Sequence, residues 1–169
     1  PQEAETAFQY YDHPSTIYVG SDSVKAGKFG FSFAVPRDIN YTQGNGLINI
    51  YAINDSRSLA VNGSCDRFLV GGTSSLASDS IGPSVFCYLN SPSFENGGNV
   101  NSTPYFVAQL RDKDGINVSG SSIGHNLELI IDDDMNKTYV LNDNFQYDFG
   151  SYTSGTTYYN IPELALYFD

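Results

Sequence analysis

The run Phe106-Val107-Ala108-Gln109-Leu110-Arg111 puts Phe106, Ala108 and Leu110 on one side of an extended chain and Val107, Gln109 and Arg111 on the other. Successive side chains of a strand point to opposite faces, so this is the signature of a β-strand with one face against a core. The same period of two recurs in both directions from it. Phe29, Phe31, Phe33 and Val35 alternate with Gly30, Ser32 and Ala34 ahead of Pro36; Ile48, Ile50 and Ala52 oppose Asn49 and Tyr51; Leu127, Leu129 and Ile131 oppose Asn126 and Glu128. Val85-Phe86-Cys87-Tyr88-Leu89 is apolar on both faces, Thr138 to Leu141 is β-branched and aromatic, and Leu164, Leu166 and Phe168 alternate with Ala165 and Tyr167. No window carries the apolar spacing of a helix.

Between these runs Gly, Asn, Asp and Ser cluster at 43–46, 62–64, 96–101, 112–115 and 132–134, where positive φ or side-chain turn bonds are wanted. About ten short strands set off by turns imply antiparallel sheets, and sheets with one apolar face pack in pairs. The expected fold is therefore all-β, an antiparallel β-sandwich of immunoglobulin-like kind. The turn-rich, charge-poor stretch 71–82 separates halves of similar strand content. This predicts a leader over 1–14, a first β-sandwich module over 15–74 and a second packed module over 75–169, with one larger continuous sandwich as the alternative.

Of the 169 residues 40% are apolar and 14% aromatic, enough for a packed core. Eight Lys and Arg against 19 Asp and Glu give a net charge of −11, the wrong sign for neutralising phosphates or anionic lipid heads, so no nucleic-acid partner is expected. No unbroken apolar stretch is long enough to insert in a membrane as a helix. The chain opens on Pro1, and its one Met is Met135, so it reads as a mature or excised piece of a longer protein.

Few residues offer chemistry. Cys65 and Cys87 allow one bridge or two free thiols; Cys65 reads as part of a polar turn and Cys87 as buried within an apolar strand. Neither His13 nor His125 is flanked by a nucleophile signature, and both read as structural residues. Asp112-Lys113-Asp114-Gly115 begins like a calcium loop, but Ile123 stands where an EF-hand requires a bidentate Glu. A sandwich can still hold calcium between loops, and Asp112, Asp114, Asp132, Asp133 and Asp134 are the candidate ligands, against the plainer reading of acidic turns that keep a surface soluble. Otherwise no cofactor is expected.

Thirteen tyrosines, among them Tyr10, Tyr11, Tyr147, Tyr152, Tyr158 and Tyr159, suit either ordinary strand positions or an aromatic platform for sugar or protein. Six Asn-x-Ser/Thr sequons, at Asn40, Asn54, Asn62, Asn101, Asn117 and Asn136, are what an Asn- and Ser-rich chain produces by chance.

Longer strings are more specific. Phe31-Ser-Phe-Ala-Val-Pro-Arg-Asp-Ile-Asn40, Gly46-Leu-Ile-Asn-Ile-Tyr-Ala52 and Phe68-Leu-Val-Gly-Gly72 resemble the region that follows the peptidase domain in gingipain-like proteins of family C25, and among them the type IX secretion sortases of Bacteroidetes. Asp114-Gly115-Ile116-Asn117, Gly124-His125-Asn126, Ile131-Asp132-Asp133 and Val140-Leu141-Asn142-Asp143 follow in the order of that family's D-E-N-G-I-N, G-I-G-H-D, I-D and V-L-N-D. The resemblance runs from about residue 15 to 160. Asn126 departs from the family's usual Asp, and 161–169 is shorter than its final strand.

The resemblance implies a non-catalytic β-sandwich portion of a cell-envelope or surface protein, outer-membrane associated or periplasmic. The family's catalytic Cys and His lie in an upstream domain, and nothing here matches their motifs. The implied partners are the parent peptidase domain or other envelope proteins. His125, Asn126, Asn142 and Asp143 are the candidate contact residues, because the densest family signature outside strands sits in their loops. The alternative is a calcium- or glycan-binding, adhesin-like surface module.

Overall fold

The computed structural model describes residues 16–35, 44–71, 81–120 and 126–163. These form β1 (Gly44–Asn45), β2 (Ile48–Ile53), β3 (Ala60–Cys65), β4 (Leu69–Val70), β5 (Ser84–Leu89), β6 (Tyr105–Arg111), β7 (Glu128–Ile131), β8 (Asp134–Val140), β9 (Gln146–Tyr147) and β10 (Ser154–Asn160). The helical element among them is a single 3-10 turn at Asn142–Asn144. Every strand pairing is antiparallel: a four-stranded sheet in the order β5-β6-β10-β9, and three two-stranded pairs, β2-β3, β7-β8 and β1-β4. The protein is all-β and built of antiparallel sheets, as the alternation requires.

The core forms where the opening hexapeptide said it would. Register places Ala108 between Cys87 and Thr157, and Leu110 between Val85 and Gly155. Leu110 is 2% exposed, and with Ala108 and Ile116 it makes a buried cluster against which Phe106, Val118, Leu127, Phe145 and Tyr147 pack. Burying one such leucine contributes about 1.5–3 kcal/mol. Gly155 is required there, since a Cβ would stand 2.6 Å from the Gln146 carbonyl oxygen and 2.3 Å from the Phe145 ring.

The other side of the sheet carries Tyr105, Gln109 and Arg111, with the row Tyr88, Val107, Tyr158 running across three strands. Flanked by the two rings, Val107 is buried although its face is open to solvent.

Turn chemistry sets two of the hairpins. β7 and β8 meet through Asp132 and Asp133, both at φ 56°, the left-handed geometry that a two-residue hairpin turn demands and that Asp tolerates. The β2-β3 loop is organised by Asn54, whose Oδ1 accepts from the Leu59 N–H at 3.0 Å and whose Nδ2 donates to Ser56 and Ser58.

Several expectations need correction. Residues 29–35 form no strand; the segment lies along the molecule with Phe31 and Phe33 stacked at 6.2 Å and Phe33 stacked on Tyr18 at 5.5 Å. Alternation produced a one-sided apolar set, but a strand also needs a neighbour to bond. Asn62, Gly63 and Ser64 are interior to β3 and not a turn, because the chain reverses at 54–59; Gly44 and Asn45 bridge to Val70 and Leu69. Cys65 therefore ends a strand. Cys87 is exposed, since β5 is the outer strand of its sheet; both thiols are free. Pro36, the strand expected around 164–168, and most of the boundary at 71–82 lie outside the described residues.

Candidate functional site

The pieces of signature that are scattered in sequence converge at one junction beside the core. After β6 the chain turns at Asp112–Gly115, and Ile116 enters the core as its N–H donates to the Tyr152 carbonyl at 3.0 Å. Asn117 then folds 117–119 into a side-chain turn, its Oδ1 accepting from the Ser119 N–H at 3.1 Å and hydroxyl at 2.8 Å.

Asn142, at the start of the 3-10 turn, joins this loop to the hairpin. Its Oδ1 accepts from the Leu127 N–H at 3.0 Å and its Nδ2 donates to the Val118 carbonyl at 3.1 Å. Gly120, at φ 61°, passes so close that a Cβ would lie 3.3 Å from Asn142 Nδ2 and 3.6 Å from Asn126 Oδ1. Leu141 completes the junction: its N–H donates to Leu127 at 2.7 Å, and its carbonyl accepts from the buried Thr157 hydroxyl at 3.2 Å.

Of the four candidate contact residues, the fold brings Asn126 and Asn142 together around Gly120. Asp143 is exposed beside them, and Asn126 is exposed with its amide directed to Glu128 at 3.3 Å. His125 and His13 lie outside the described residues. Asn142 is thus half-buried and braces the loops, while Asn126, Asp143 and Gly120 present the surface.

The five acidic candidates occupy two turns, each with local partners. Asp112 accepts from the Asp114 N–H at 2.9 Å, and Asp114 pairs with Lys113. Asp134 accepts from the backbone N–H of Asn136 and from its side-chain amide, both at 3.0 Å. Those two bonds, the backbone one foremost, hold its carboxyl below the usual value, with Lys137 at 3.7 Å adding to the effect. Asp132 and Asp133 form the hairpin turn with their backbones. Among the described residues no group of three or more His, Cys, Asp or Glu is placed to hold a metal ion.

An aromatic cluster on the core's flank joins Tyr147, one of the tyrosines singled out in the sequence, to Tyr18 and Phe145, which were not. Tyr147 donates its hydroxyl to the Ile116 carbonyl at 2.5 Å, packs edge-on against Phe145 at 4.9 Å and meets Tyr18 at 4.8 Å. Burial, and then the nearby Tyr18, push its phenol up to about 12. Tyr18 is also raised, by burial and then by Asp22, and donates to the Ser151 carbonyl at 3.2 Å. With Gly150 N–H to Ser21 at 2.8 Å, these contacts strap residues 16–35 to the sheet. Tyr10 and Tyr11 lie outside the described residues.

Comparison with solved structures bears on what this architecture belongs to. The chain aligns with the crystal structure of dimeric latent PorU from Porphyromonas gingivalis at 38% identity over 79% of its own length, with a TM-score of 0.50. The chain is PorU-like. It spans 13% of the length of that PorU chain, so the likeness is to one part of a much larger protein. No protein-family model and no curated protein matches. The PorU likeness agrees with the ordered strings of the sequence. Among the described residues no helix is long and apolar enough to cross a membrane.

Proposed function

We propose that this chain is a non-catalytic β-sheet module of a PorU-like cell-envelope protein of type IX secretion, and that its task is to buttress or dock a gingipain-like C25 peptidase domain or another protein of the envelope. The likeness to PorU carries the reading, at 38% identity over 79% of the chain. Two further observations support it. Twenty large hydrophobic side chains are more than a third exposed among the described residues, far more surface than the small core around Leu110 occupies. The junction around Asn142 holds the family signature in place and leaves Asn126 and Asp143 facing outward.

The test pairs a binding measurement with an activity measurement. The chain is titrated calorimetrically against a separately produced PorU-like C25 peptidase domain, and assayed alone for peptide hydrolysis. Saturable binding without hydrolysis is expected. Hydrolysis by the chain alone that Cys65→Ala or Cys87→Ala abolishes overturns the proposal. Absence of binding, with a calcium-dependent rise in melting temperature that Asp112→Asn and Asp134→Asn remove, would transfer the chain to the calcium-holding reading.

A further inference from the structure

Three Asn-Gly pairs occur in the chain, Asn45-Gly46, Asn62-Gly63 and Asn96-Gly97. In each the glycine lacks the Cβ that would shield its amide nitrogen, so that nitrogen can approach the neighbouring asparagine side chain. The approach requires the peptide plane between the two residues to rotate, and the fold treats the three pairs differently.

Two of them are held. The Gly46 N–H donates to the Phe68 carbonyl at 3.1 Å, and the Phe68 ring and the Val70 side chain fill the space beside the Gly46 Cα. Asn62 and Gly63 stand opposite Tyr51 and Ile50 inside the β2-β3 ladder, where rotating their shared peptide would break strand pairing.

Asn96-Gly97 sits in the connection from β5 to β6, at the centre of a turn closed by the Gly98 N–H donating to the Glu95 carbonyl at 2.8 Å. Gly97 at φ 81°, with Asn96 outside the positive-φ region, makes this a type II turn. Its central peptide is the Asn96-Gly97 bond itself. That plane can flip while the closing bond is kept, because the bonded residues are the outer two and Gly97 accepts either sign of φ. Asn96 and Gly97 are exposed, and no atom lies within 4 Å of a Cβ built on Gly97. Among the described residues no hydrogen bond engages the Asn96 side chain or the Gly97 N–H.

We propose that Asn96 is a site of spontaneous deamidation, selected by the fold from the three pairs. The Gly97 nitrogen bonds to Asn96 Cγ, the Cγ–Nδ2 bond breaks, and ammonia leaves carrying the proton from the Gly97 nitrogen; the product is a succinimide ring. One water then opens the ring. Attack at Cγ yields aspartate, and attack at the main-chain carbonyl carbon yields isoaspartate, in which the chain runs on through the former side chain. No oxidation or reduction takes place. Either product sets a carboxylate beside Glu95, and the isoaspartyl form also lengthens the backbone by a methylene inside the turn. Both changes lie beyond the Leu89–Phe106 pair, so β5-β6 pairing is kept while the loop gains negative charge with age. The inference stands apart from the docking reading above.

The test ages the full chain in mildly alkaline buffer at a temperature where it stays folded. Samples are digested at intervals, and mass spectrometry with electron-transfer fragmentation follows aspartate and isoaspartate at all three pairs. Asn96 is expected to convert severalfold faster than Asn45 or Asn62 in the folded chain. In concentrated urea, where only the Asn-Gly sequence is left to act, the three rates are expected to converge. Asn96→Gln, whose longer side chain closes a less favourable ring, is expected to remove the fast reaction without moving the melting temperature, and Gly97→Ala to slow it severalfold. Equal rates at the three pairs in the folded chain, a faster reaction at Asn45 or Asn62, a lead of Asn96 undiminished in urea, or a fast reaction that survives Asn96→Gln overturns the proposal.

Discussion

Asn142 satisfies two backbone groups of different loops with one side chain, the Leu127 N–H and the Val118 carbonyl. Removing it leaves both half-buried groups without that partner, a loss of about 1–3 kcal/mol in all because water replaces part of the bonding. Asn142→Ala is therefore expected to lower stability by roughly 1–3 kcal/mol in urea unfolding, and Asn142→Asp to lower it as well, because its carboxylate still accepts from Leu127 but sets an oxygen against the Val118 carbonyl. Tyr147 predicts a pH dependence. Its folded pKa of about 12 stands above the ordinary 10.0, so the neutral phenol is favoured by the fold. That stability is fully present below pH 10 and is lost as pH rises from 10 through 12. Melting temperature should fall over that window, and Tyr147→Phe should flatten the fall while lowering stability at neutral pH. Asn142 was legible as part of a motif, but its bracing role was not, since its partners are 15 and 24 residues away.

At the scale of elements, the alternating runs at 48–53, 106–111 and 128–131 became strands because each found a neighbouring strand to bond. The run at 29–35 has equally regular alternation and forms none, its rings stacking on Tyr18 instead. Asn62-Gly63-Ser64 has turn composition, yet lies paired with Ile50 and its neighbours because Asn54 closes the loop earlier. Turn propensity states what a segment tolerates; pairing decides where the chain reverses. Asp132-Asp133 shows the converse, an acidic pair whose place is set by backbone geometry. Glycine meets positive φ without a Cβ clash, so Asp133→Gly is expected to stabilise the β7-β8 hairpin by about 0.5–1 kcal/mol in thermal unfolding, with the amide spectrum of the rest of the sheet unchanged.

At the scale of the whole molecule, burial is concentrated around β6 and β10, whereas β3 is exposed along its length and Tyr51 of β2 is 66% exposed. A two-stranded hairpin without cover is marginal in water. A partner that covers such surface stabilises the folded state by mass action, about 2.7 kcal/mol at a hundred times its Kd. The chain is accordingly expected to melt at a higher temperature with saturating PorU-like C25 domain, and to bind less of a hydrophobic dye in the complex than alone. A raised melting point with unchanged dye binding would show that the contact leaves the apolar faces uncovered.

The amino-acid sequence by itself determined the all-β class, the inner face of β6 and the likeness to a part of PorU, because alternation is a property of neighbouring residues and ordered motif strings need no pairing to be read. Only the tertiary structure decided that β5 is an edge with Cys87 in solvent, that 29–35 stacks on Tyr18 without joining a sheet, and that Gly120, Asn126 and Asn142 meet. Each of those depends on which strand lies beside which, a choice made by contacts between residues far apart along the chain.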